Sequence, residues 1–261
     1  MENSQNEIKN TVVVLSGKGG VGKSTMAVNL AVGLAQKGFQ VGLLDIDIHG
    51  PSVPTLLNMK VKLLSTDGDF LLPEKYNDNL SVMSSGFIAD EEDQPIIWRG
   101  PMKTSFINQM LSHVKWGNLD YLVVDCPPGT GDEPLTILQL LKDISGAVVV
   151  TTPQKLSIVD VKKSVNFCKS LNIPILGIIE NMSGFICEKC KEVTEIFKSG
   201  GGEKMAKDMD VPFLGKVPMS VDMVEAGDEG RPFVEACKDG EVATIFDNII
   251  QKVIEKSQSK G

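Results

Sequence analysis

The sequence predicts an α/β protein built on a mostly parallel central sheet with helices on both faces. Three observations predict it. Runs such as "TVVVLS" at 11–16 and "GAVVVTT" at 146–152 are apolar along their whole length, as strands buried on both faces must be. Helical patterns alternate with these runs, the mark of parallel strands joined by crossover helices. A glycine-rich turn, "GKGGVGKST" at 17–25, joins the first such strand to the first helix.

In chain order, "TVVVLS" is the first strand, and a helix over Lys23–Gln36 follows the glycine turn and stops at Gly38. "QVGLLDID" is a second buried strand and "LSVMSS" near residue 80 a weaker one. Strong strands follow at 120–125 ("DYLVVD") and 146–152, then at 173–181 ("IPILGIIEN") and 212–218 ("PFLGKVP"). Helical periodicity marks 102–115, 133–142, 155–170, 202–209 and 241–256. The last of these carries Val242, Ile245, Phe246, Ile249, Ile250, Val253 and Ile254 at helical spacing, a stripe wide enough to be core. Segments 61–79 and 182–200 read as irregular surface excursions. One domain is expected over 11–256, between a flexible N-terminus at 1–10 and a flexible tail at 257–261.

The 261 residues are 42% hydrophobic and carry a net charge of −8, the balance of a globular protein with a sizeable core. An acidic chain without a basic run repels phosphate backbones and anionic lipid, so neither nucleic acid nor membrane is expected as a partner. "MENSQNEIKN" lacks the apolar core of a signal peptide, and no apolar run reaches membrane-spanning length, so a cytoplasmic location is expected. There an odd count of five cysteines argues for thiols or metal ligands over a disulfide framework.

The glycine turn carries the chemistry. Gly17, Gly22, Lys23 and Ser24 satisfy G-x-x-x-x-G-K-[ST] between a strand and a helix, the context in which that spacing binds phosphate. Backbone N–H groups from Gly17 to Thr25, including those of Gly19, Gly20 and Val21, can turn toward phosphate oxygens, and the helix N-terminus adds partial positive charge. Lys23 is expected to reach the β- and γ-phosphates of ATP, and the Ser24 hydroxyl to ligate Mg²⁺. Asp125 ends a strand in "VVDCPPG", where a carboxylate can hold the metal. Asp45 and Asp47 end another, and Asp47 is placed both near the metal and to orient attacking water; a turn cap is the competing reading, more so for Asp45.

"GKGGVGKST" resembles the deviant Walker A loop shared by the Min and Par partition ATPases, the arsenite-pump ATPase and the nitrogenase iron protein. The resemblance implies a P-loop NTPase fold like that of the iron protein, and a catalytic role for Lys18 beside Lys23 and Asp47. In that family the extra lysine reaches across a nucleotide-sandwiched homodimer to the other subunit's phosphates. "DIDIHGPSVP", "WRGPM", "DCPPGTGDEPLT" and "ENMSGFICEKC" narrow the resemblance to the Mrp/NBP35 iron–sulfur cluster carrier branch, across nearly the whole chain. It implies an ATP-hydrolysing carrier that transfers a labile [4Fe–4S] cluster to apoproteins. It also implies that Asn181 reads the adenine amino group and that backbone near Pro218 closes the other side of the base.

Cys187 and Cys190, in C-x-x-C spacing, can chelate one metal or two corners of a cluster, but two thiolates do not complete a four-ligand site. Two copies related by a two-fold axis would supply four, and the resemblance implies such a bridging cluster. The same four thiolates suit zinc, so zinc in a purified sample is compatible with this reading; free thiols or a redox pair are the alternatives. Cys126, Cys168 and Cys237 read as small hydrophobes. His49 and His113 read as structural, and Trp98 with Arg99 as packing of a loop near the switch or dimer face. A spatial-positioning ATPase of the MinD/ParA type is the runner-up function, disfavoured by the cysteine pair, "WRGPM" and the acidity. A nucleotide-gated electron carrier is a third, disfavoured because its cluster is held by single, well-separated cysteines.

Overall fold

A computed structural model describes residues 6–60, 64–88, 100–187, 189–190 and 192–258. From the N-terminus these form β1 (Asn6–Ser16), α1 (Lys23–Gln36), β2 (Val41–Asp45) and α2 (Val53–Leu56). The short strands β3 (Thr66–Asp67), β4 (Phe70–Leu71) and β5 (Glu74–Asn77) precede β6 (Leu80–Ser84). Next come α3 (Gly100–Ser112), β7 (Gly117–Asp125), α4 (Asp132–Leu140), β8 (Ile144–Thr151) and α5 (Lys155–Ser170). The chain continues through β9 (Ile175–Ile186), β10 (Val193–Thr194), α6 (Gly201–Asp208), β11 (Phe213–Met219), α7 (Val221–Asp228), α8 (Phe233–Ala236) and α9 (Glu241–Gln258).

The main sheet runs β9-β8-β1-β7-β2-β6-β5, with β11 on the outer side of β9. All neighbours from β11 to β6 are parallel; β5 closes one edge antiparallel to β6, and β10 folds back antiparallel on the end of β9. Because strand side chains alternate between faces, adjacent residues join different clusters. Val149 and Ile178 pack with Val161, Val165, Met205 and Ala206 of α5 and α6. Their neighbours Val148, Val150 and Ile179 belong to the larger cluster that includes α1 and α9. Helices therefore cover both faces, as the apolar strands require.

Three expectations need correction. Asn6–Asn10 is not a flexible lead but the start of β1, paired with β7 from Asn6↔Gly117. The Asn6 side chain fixes it there, donating to the Val114 carbonyl at 2.8 Å and accepting from the Trp116 backbone N–H at 2.8 Å. At the other end α9 runs to Gln258, and buried Ser257 shares a hydrogen bond with the Tyr121 hydroxyl at 3.2 Å, so the ordered chain extends beyond 256. The excursions are not wholly irregular: 61–79 contains the β3–β4 hairpin and the edge strand β5, and 182–200 holds the last five residues of β9, Met182–Ile186, and its two-residue β10 return. Trp98 and Arg99 lie outside the described residues.

Candidate nucleotide site and cysteine hairpin

The phosphate loop leaves β1 after Ser16 and turns into α1 at Gly22, whose φ of 82° suits glycine. A β-carbon there would also collide with the Asn181 amide. The loop lines a cavity of about 240 Å³, shared by Lys18, Gly20, Lys23, Ser24 and Thr25 with Asp47. It opens at the carboxyl ends of the strands, where open α/β sheets collect ligands. Sheet register brings the acids together: Asp45 on β2 stands directly beside Asp125 on β7.

Lys23 is buried, and its ammonium lies 2.5 Å from Asp125 Oδ1, 3.2 Å from Ser24 Oγ and 4.0 Å from Asp47 Oδ2. Burial works against this charge, yet the Asp125, Asp47 and Asp45 carboxylates outweigh it and hold the ammonium above the usual lysine range. Burial pushes the Asp125 carboxyl up, with Lys23 opposing. Asp125 Oδ2 is buried and accepts no hydrogen bond among the described residues. This orphaned oxygen, with the Ser24 hydroxyl and the Asp47 carboxylate gathered around the same ammonium, is a hard-oxygen donor set that fits Mg²⁺.

Asp45 behaves as a cap. Its carboxylate accepts from the Ser84 hydroxyl at 2.8 Å and from the backbone N–H groups of Asp47 and Val53 at 3.2 and 3.3 Å. Burial, then the Asp125 carboxylate, pushes its carboxyl up to about 7. Asp47 is left facing the cavity, while its Oδ1 accepts from the His49 N–H at 3.2 Å.

Beside the phosphate cavity lies a second, more apolar one of about 410 Å³, lined among others by Thr25, Asn181, Met182, Pro218 and Met223. Asn181 and Pro218 are thus brought to one pocket that also borders Gly22 of the loop. The Asn181 amide donates to the Val21 carbonyl at 2.9 Å, tying β9 to the loop.

Cys187 is partly buried and Cys190 exposed, on the hairpin between β9 and β10, where the Cys187 N–H donates to the Glu192 carbonyl at 3.0 Å. Among the described residues no group of three or more His, Cys, Asp or Glu side chains could hold a metal. Cys126 and Cys168 are buried, and burial pushes the Cys168 thiol up to about 12 and that of Cys126 further. Cys237 is only partly buried against the core. His49 is more engaged than a bland structural residue: its Nε2 lies 3.0 Å from both Glu133 Oε1 and Lys103 Nζ, joining the segment after β2 to α4 and α3.

Two features escaped the sequence reading. One is the His49–Lys103–Glu133 cluster, whose members are far apart in the chain. The other is buried Glu180, and its signal was present: a lone charge inside the otherwise apolar "IPILGIIEN".

A family model described as ParA, NUBPL iron-transfer P-loop NTPase, matches residues 7–254. The chain belongs to this family. Among curated relatives, an iron-sulfur cluster carrier protein of Methanocaldococcus jannaschii is 48% identical over 257 residues, 98% of this chain and 88% of that protein. A protein named cytosolic Fe-S cluster assembly factor NUBP2 homolog, from Monosiga brevicollis, is 46% identical over 234 residues, covering 88% of this chain and 82% of that one. Among solved structures, a nucleotide-binding protein of Archaeoglobus fulgidus in complex with ADP, with cobalt found by PIXE, superposes with a TM-score of 0.76 at 37% identity. That match spans 87% of this chain and 88% of that one. The cell division ATPase MinD of Pyrococcus furiosus, at 21% identity and a TM-score of 0.71 over 95% and 99% of the two chains, shares the fold. No helix among the described residues is long and apolar enough to cross a membrane.

Proposed function

We propose that this P-loop NTPase is an ATP-dependent iron–sulfur cluster carrier of the cytoplasm. It acts as a homodimer, holds a labile [4Fe–4S] cluster on Cys187 and Cys190 of both copies, and hands it to apoproteins. One observation carries the reading: the two-thiol hairpin grows from β9, the strand whose Asn181 lines the cavity beside the phosphate loop. The names of the relatives agree with it.

In this reading the triphosphate lies along Gly17–Thr25, and its anionic oxygens draw the Lys23 ammonium away from Asp125. Ser24, Asp47 and Asp125 would hold Mg²⁺, which supplies charge neutralisation on the phosphates. Asp47 orients the attacking water, and Lys18, at the rim of the cavity, reaches the phosphates of the other copy. The base occupies the neighbouring cavity between Asn181 and Pro218. Turnover is slow, because the switch segments and the second lysine must close before chemistry. The cluster is cargo: each copy owns only two of its four thiolates, an arrangement suited to release. Zinc would compete for the same thiolates.

The test is anaerobic reconstitution with iron and sulfide counted per dimer, followed by activation of a cluster-requiring apoenzyme. About four irons per dimer are expected for the native protein and none for C187S/C190S, with ATP binding retained. Full uptake and transfer by the double variant would remove the carrier reading and favour a positioning ATPase.

A further inference from the structure

Two neighbouring polar residues at the middle of β9 serve opposite faces of the sheet. Asn181 faces the phosphate loop. Glu180, on the face of α5 and α6, is 0% exposed and makes no ion pair among the described residues. A buried carboxylate is costly unless hydrogen bonds replace its water. Here three do. Oε1 accepts from Ser183 Oγ at 2.6 Å and from the Gly200 N–H at 2.8 Å, and Oε2 accepts from the Gly202 N–H at 2.5 Å.

These donors sit at the two ends of the segment that carries the cysteines. Ser183 precedes the hairpin, and Gly200 and Gly202 open α6 after it; Ser183 and Ser199 also share a hydrogen bond at 3.0 Å. Gly200, the N-cap of α6, has no side chain to cap with, so Glu180 supplies the cap from another strand, where the helix dipole favours its charge. A β-carbon on Gly202 would lie 3.1 Å from Glu180 Oε2 and 3.0 Å from Thr151 Cγ2, so the junction is closely fitted. The strand backbone turns left-handed on either side of Ser183: Met182, which lines the cavity, has φ 55°, and Gly184, on the cysteine side, has φ 89°. Cys187 is six residues beyond Asn181.

We propose that Glu180 is the positioning residue of the cysteine hairpin: its carboxylate clamps both ends of the hairpin and passes nucleotide occupancy at Asn181 and Met182 to Cys187 and Cys190. The functional meaning rests on the carrier reading above, but the clamp does not. A nucleotide that engages Asn181 competes with its bond to Val21 and presses on Met182. With both ends of the excursion fixed to Glu180, that displacement moves the hairpin as a unit. Thiol occupancy must then alter nucleotide affinity reciprocally.

The experiment needs no iron. Full-length protein and its E180Q and S183A variants are treated with a maleimide, with and without Mg·ATP, and alkylation at each cysteine is timed by peptide mapping. Gln at 180 keeps one accepting oxygen but presents an amide N–H to a backbone N–H. The native protein should show nucleotide-dependent rates at Cys187 and Cys190. E180Q should raise both rates about tenfold, the scale of one lost buried hydrogen bond, and erase the nucleotide dependence while Mg·ATP still binds and the rate at Cys237 stays unchanged. Should E180Q fail to fold, S183A, which removes one hydroxyl donor, carries the same expectation at smaller size. Native rates that ignore Mg·ATP, unaltered rates in both variants, or an equal rise at Cys237 would overturn the proposal. Loading the native protein with Co²⁺ and reading its thiolate charge-transfer absorbance tests the carrier reading separately: no cobalt at Cys187 and Cys190 would sink that reading and leave the alkylation result standing.

Discussion

Lys23 shows how much of a residue's role is written locally and how much is not. Its place in the phosphate-loop spacing is legible in nine consecutive residues, but its pairing with Asp125, 102 positions away, comes from sheet register. Lys23→Ala is expected to lower ATP hydrolysis by at least about 100-fold, the scale of losing one preorganised charge stabiliser. It should also lower the stability of the nucleotide-free protein by about 3 kcal/mol, because a buried carboxylate loses its counter-ion. Steady-state hydrolysis and denaturant melts check the two effects independently. The thiols separate by the same logic of burial. With Cys168 pushed up to about 12 and Cys126 higher still, neither holds appreciable thiolate near neutral pH. At about pH 8, Cys126 and Cys168 should resist alkylation until the protein unfolds, whereas exposed Cys190 reacts in the native state. Modification of Cys126 in folded protein would contradict its environment.

At the scale of elements, the sequence was most legible where periodicity was strong. Helices at 23–36 and 155–170 were bounded as observed, since a glycine turn or a strand end flanks each. What escaped was short or polar. α7 and α8 are eight and four residues long, too brief for an amphipathic pattern to declare itself. β5 is a half-exposed edge strand that only its pairing with β6 defines. The first turn of β1 is polar and looked like a tail because its anchor, the Asn6 amide, finds partners at Val114 and Trp116, more than a hundred residues away. Asn6→Ala should therefore cost about 2 kcal/mol, since it strands backbone groups at the entry to β7. A thermal melt unchanged from the native protein would show that those bonds are replaced by water.

For the whole molecule, the expected homodimer makes a prediction no single chain can satisfy. Lys18 borders the phosphate cavity of its own chain, and the proposed role lies in the other copy. Lys18→Ala should bind ATP yet lose hydrolysis. Mixed with Lys23→Ala it should recover partial activity, because one of the two composite sites in a mixed dimer receives both intact lysines. Absence of recovery, in a mixture shown to contain mixed dimers, would exclude the trans role. The C-x-x-C pair belongs to this scale too: its spacing was plain in the sequence, but the proposed sharing of ligands between chains would leave no pattern within one.

The ammonium of Lys23, held at 2.5 Å by Asp125, also bears on which anions the loop ignores. Cells are rich in inorganic phosphate, and a bare cationic loop would be clogged by it. Here a lone small anion would have to separate a buried ion pair and leave the carboxylate stranded, with nothing brought along to relieve it. A nucleotide arriving with its divalent cation offers a replacement to each partner in the same event. The loop is therefore expected to discriminate against orthophosphate by withholding its charge, and millimolar phosphate should leave ATP titrations of the native protein almost unmoved while competing visibly in an Asp125→Asn variant.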